Sequence, residues 1–88
     1  MNVKLFAQRF NRELALAGFP DELNEKIKAI SKVFDINRHM ANGLIFGNSL
    51  PTLELLDKIA SILEVCPHWL SGAIDKKRTY SSSKEAIS

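Results

Sequence analysis

With 88 residues, 45% of them hydrophobic, a net charge of +2 and one cysteine, the chain has material for one small core and no internal disulfide. Its apolar runs fall far short of the roughly 20 residues of a membrane-spanning helix, and nothing reads as a signal peptide. That composition predicts a cytoplasmic protein in which Cys66 is a reduced, buried thiol.

Asn2 is placed to cap a first helix that runs to about Gly18. Phe6, Phe10, Leu14 and Ala17 form its apolar stripe, flanked by Val3 and Ala7, and Pro20 follows its end. Lys4, Arg9 and Arg12 fall on its polar side, as solubilising or phosphate-binding charges. Asp21 is the expected N-cap of a second helix, with Glu22 complementing its dipole and Leu23, Ile27, Ile30 and Phe34 facing inward.

Phe34 to Asn37 is too short for a long loop, and Asn37 is a good N-cap for a third helix ending near Phe46. Ile36 plugs the angle between the two helices, and Ser31 is small enough to let the third close on the second. Two short helices at such a turn are the pattern of a helix-turn-helix, whose second helix enters the DNA major groove. Ala41 and Leu44 are the expected buried side of the third helix, with Met40 or Ile45 at its edges. Arg38, His39, Asn42 and Gly43 are expected to face outward. Arginine pairs bidentately with guanine and asparagine with adenine, while a glycine lets bases come close.

Gly47 suits a left-handed helix end, and Leu50 is expected to plug the core from the loop that follows. Thr52 caps a fourth helix from Leu53 to about Glu64, with Leu53, Leu56, Ala60 and Leu63 inward and Leu55, Ile59 and Ile62 widening the stripe. A helix this apolar is expected to be nearly surrounded. Pro67 opens a short fifth helix closed by Gly72, and Trp69 and Leu70 complete the core. From Asp75 the chain turns polar, serine-rich and basic, so residues 1–74 read as the domain and 75–88 as a flexible tail. Residues 1–46 carry seven basic against five acidic groups, residues 47–75 one against four, and residues 76–88 four against one. The positive charge thus sits with the helix-turn-helix and the tail.

The joint order Ile36-Asn37, Ala41, Leu44-Ile45, Gly47, Leu50-Pro51, Leu53, Leu56, Ile59-Ala60, Leu63, Val65 and Trp69-Leu70 resembles the phage repressor/Cro-type helix-turn-helix family. The resemblance covers roughly Phe6 to Gly72. Four positions depart from the family pattern: Asp35 for the turn glycine, Ile27 for a glutamine, Ser31 for an alanine, and Ile45-Phe46 for Glu-Arg.

The resemblance implies an all-α, compact five-helix lambda-repressor-like domain, bacterial or phage-encoded and associated with the nucleoid. It implies a sequence-specific regulator of transcription, most simply a repressor, binding a palindromic double-stranded operator as a homodimer. Base readout is expected from Asn37, Arg38, His39, Asn42 and Gly43, and phosphate contact from Lys26, Lys28, Asn48 and Ser49. Trp69 and Ile74 are the expected dimer surface. No cofactor is expected. Cys66 and His68 are too isolated for a metal, and no nucleophile stands with a base, so catalysis is not expected. Two alternatives keep the fold and change the partner: an antitoxin that binds a toxin and its own operator, and a protein-interaction module without DNA binding.

Overall fold

Local side-chain chemistry starts four of the five helices. In the computed structural model, which describes residues 1–74, the helices are α1 (Val3–Leu16), α2 (Leu23–Phe34), α3 (Arg38–Phe46), α4 (Leu53–Leu63) and α5 (Pro67–Leu70). The tail proposed for 75–88 lies outside the described residues. Asn2 Oδ1 accepts the Leu5 N–H at 3.0 Å, Asn37 Oδ1 the Met40 N–H at 2.7 Å, and Thr52 Oγ1 the Leu55 N–H at 3.1 Å. Each bond satisfies an N–H that its helix leaves without a partner.

The cap of α2 differs from expectation. Glu22, not Asp21, holds that position, and its carboxylate accepts the N–H groups of Asn24 at 2.9 Å and Glu25 at 3.1 Å. The longer side chain reaches two donors at once, and its charge faces the positive end of the helix dipole.

The turn after α2 is set by Asp35, whose φ of 56° and ψ of 54° are left-handed. The Asp35 and Ile36 N–H groups both donate to the Ser31 carbonyl, the latter at 3.0 Å, which closes the end of α2. Aspartate tolerates this conformation better than most residues. Asn37 then opens α3, and half-buried Ile36 packs on the core between the two helices.

The core is one cluster drawn from all five helices: Phe6, Phe10 and Leu14; Ile30 and Phe34; Ala41, Leu44 and Ile45; Leu56, Ile59 and Ala60; Trp69 and Leu70, with Val65 between α4 and α5. Helix α1 packs on α3 and α5, α2 on α3 and α4, and α4 on α5. Aromatic rings tie the first two helices: Phe6 stacks on Phe10 at 5.2 Å, and Phe34 lies 6.0 Å from both Phe10 and Phe19.

Five residues expected inside are exposed: Leu53, Leu23, Leu50, Ile62 and Ala17, the last of which follows the end of α1. Leu53 is 73% exposed and Leu23 42%, each the first residue of its helix. Both lie on the correct stripe, but the first turns of α2 and α4 begin outside the packed body, with Glu22 and Asn24, and Thr52 and Glu54, also exposed. Leu50 is exposed as well, and Pro51 beside it is the buried loop residue. Helix α4 is not surrounded, since Ile62 is also open to solvent. Cys66 is half-buried rather than enclosed. Among the described residues no helix is long and apolar enough to cross a membrane.

Candidate nucleic-acid interface

Helix α3 is held on one side and open on the other. Ala41, Leu44 and Ile45 are buried, and Met40 packs on the core from its edge. Arg38, His39 and Asn42 are exposed. At 3.6 residues per turn these three and Phe46 fall within an arc of roughly 100°, because 38, 42 and 46 are four apart. Phe46 is 54% exposed, so the open face is two polar side chains, an imidazole and a phenyl ring in one strip. Asn37 sits at the start of the strip, with its side chain occupied in capping.

Gly43 does not belong to that strip, contrary to expectation. It is buried beneath the loop that follows α3, and a Cβ built on it would lie 2.6 Å from Ser49 Oγ. Its carbonyl accepts the N–H groups of Gly47, Asn48 at 2.9 Å and Ser49 at 3.2 Å. Gly43 is therefore where the loop folds back onto the helix. Spacing placed it beside His39, and only the returning chain shows that a side chain there would have to displace Ser49.

The four residues expected at phosphates divide. Lys28 and Asn48 are exposed, while Lys26 and Ser49 are half-buried. Lys26 Nζ donates to Asn11 Oδ1 at 2.6 Å. Asn11 Nδ2 in turn donates to the carbonyls of Ala7 at 2.8 Å and Ile45 at 2.9 Å. One side-chain amide thus joins α1, α2 and α3.

Trp69 is corrected as a dimer contact: at 5% exposure it is core. The Arg9 guanidinium lies 4.8 Å from the centre of its ring, donates to the Trp69 carbonyl, and donates to the Ile74 carbonyl at 2.9 Å. Arg9 therefore latches α1 to the segment after α5. Ile74 is half-buried, packed on its own core. Among the described residues no group of three or more His, Cys, Asp or Glu is arranged to hold a metal ion.

Comparison with protein-family models, with curated proteins and with solved structures finds no match. The site rests on its own geometry. Phe46, Asn11 and Arg9 are the residues whose roles sequence spacing left open or missed. Phe46 had a signal, its four-residue interval from Asn42 and Arg38. The hydrogen bonds of Asn11 to Ile45 and of Arg9 to Trp69 and Ile74 span 34 to 65 residues and leave no periodic trace.

Proposed function

We propose that the chain is a sequence-specific double-stranded DNA-binding regulator of the repressor/Cro type, with α2 and α3 as its helix-turn-helix and α3 as the recognition helix. One observation carries this: a helix seated by Ala41, Leu44 and Ile45 presents Arg38, His39, Asn42 and Phe46 on one open face, directly after a tight turn. That face is chemically suited to base edges. Arg38 matches guanine O6 and N7, Asn42 matches adenine N6 and N7, and Phe46 suits a thymine methyl. Lys28 and Asn48 are exposed donors for phosphates on either side.

A single module of this size buries too little surface for tight specific binding, so a homodimer on an inverted repeat is part of the proposal. Its recognition helices would stand about 34–36 Å apart, one turn of DNA. Occupying an operator in this way blocks polymerase, which makes repression the simplest outcome. Catalysis has no part in it.

A second reading, a protein-docking face such as that of an antitoxin, is favoured by the exposure of Phe46, Leu50 and Leu53 along the end of α3 and the start of α4. Backbone amide mapping by NMR separates the two. Added duplex is expected to shift the signals of Arg38, His39, Asn42 and Phe46 and to leave Ile59 to Val65 unmoved. Shifts confined to Leu50 and Leu53, or none at all with duplex in excess, would contradict the DNA reading.

A further inference from the structure

We infer that Asn11 and Lys26 form a positioning device that sets the orientation of α3 and couples it to a phosphate. The inference rests on the DNA-binding reading for its function, but the device itself is a property of the free protein. The Asn11 amide makes three bonds: two donated, to the Ala7 and Ile45 carbonyls, and one accepted, from Lys26 Nζ. Its orientation follows from those partners, since two carbonyls need donors and an ammonium needs an acceptor.

The Ile45 carbonyl belongs to the last turn of α3, whose carbonyls have no partner within the helix. Asn11 supplies that partner from α1. Lys26, half-buried on α2, places its positive charge behind the same amide, on the side of the negative helix end. The arrangement runs Lys26 Nζ to Asn11 to Ile45 O and crosses three helices in two hydrogen bonds.

A lysine ammonium has three N–H groups, and Asn11 takes one. The others are available to a phosphate. A phosphate bound there fixes Lys26, Lys26 fixes Asn11, and Asn11 fixes the end of the helix that reads the bases. Phosphate contacts ordinarily carry no sequence information directly. Here loss of the link is expected to degrade base discrimination as well as affinity.

Asn11→Asp breaks the link at the two carbonyls. The carboxylate still accepts from Lys26, but has no N–H for the Ala7 and Ile45 carbonyls. Lys26→Met keeps the apolar stem and removes the charge. Both proteins would be checked for helical circular dichroism and titrated with the duplex selected by wild type and with an unrelated duplex.

In Asn11→Asp the ratio of specific to non-specific affinity is expected to fall about tenfold, a coupling of ordinary size for groups in one network. Its salt slope is expected to fall as well, because the new carboxylate pairs with the Lys26 ammonium and withdraws it from the phosphate. In Lys26→Met the ratio should fall similarly, and the slope of log affinity against log salt should lose about one unit. A folded variant of either kind with a ratio within about twofold of wild type would overturn the inference. A uniformly structural role would lower stability without moving this ratio.

If wild type shows no preference between duplexes, the DNA-binding reading has failed and the device is judged in the free protein. Amide exchange at Gly47, Asn48 and Ser49, which close the end of α3, is then expected to be at least several-fold faster in Asn11→Asp. Unchanged exchange would overturn the device itself.

Discussion

Phe34→Ala is expected to lower the stability of the domain by about 3–5 kcal/mol, as deletion of a buried ring does through lost transfer energy and the cavity left behind. Phe34 is the last residue of α2 and has no exposed surface. Its ring lies 6.0 Å from Phe10 of α1 and 6.0 Å from Phe19 in the loop between α1 and α2. Removing it opens a void between α1, α2 and the turn that launches α3. The backbone there is already tied by the Asp35 and Ile36 bonds to Ser31, so it cannot collapse freely into the space. Small domains hold about 5–15 kcal/mol in total, so the loss is a large fraction of the whole. Urea unfolding would show it as a lower midpoint with the slope unchanged. A midpoint equal to that of wild type would mean that the ring is not packed as described.

The second large effect falls on binding and leaves stability alone. Arg38→Ala is expected to cost about 1–3 kcal/mol at one operator position and to relax the base preference there. Arg38 is the first residue of α3, exposed, immediately after the capping Asn37. A guanidinium there is free to take a guanine edge bidentately, and nothing in the core depends on it. Affinity for unrelated duplexes should fall less than affinity for the selected one. An equal loss on every duplex would assign Arg38 to a phosphate, because backbone contacts weaken all sequences alike.

How much could be read in advance follows from how far each interaction reaches. Asn2, Asn37 and Thr52 were legible as caps because the bond runs from a side chain to an N–H three residues on. The left-handed Gly47 was legible from residue type, and Asp35 only through the resemblance, as the residue standing in place of the turn glycine. The buried faces of α1 and α3 followed from periodicity. Periodicity tells which side of a helix is inward, but not how far its neighbours extend, so Leu23 and Leu53 were expected inside and lie outside. Asp21 was expected as the cap from its residue type, and the one-residue difference was decided by the reach of a glutamate to two N–H groups. Gly43 could not be placed without the loop that closes over it, nor Asn11, Lys26 and Arg9 without their partners on other helices. Of the candidate site, the exposed triad of Arg38, His39 and Asn42 was legible, and its mechanical support was not.

Selection of bound duplexes from a random pool tests the central claim most directly, since it presupposes no operator. The account predicts an enriched inverted repeat whose half-sites are centred about one helical turn apart, with the preference at one base pair of each half-site lost in Arg38→Ala. A pool that emerges with no motif after repeated rounds, from protein shown to be folded, would contradict it.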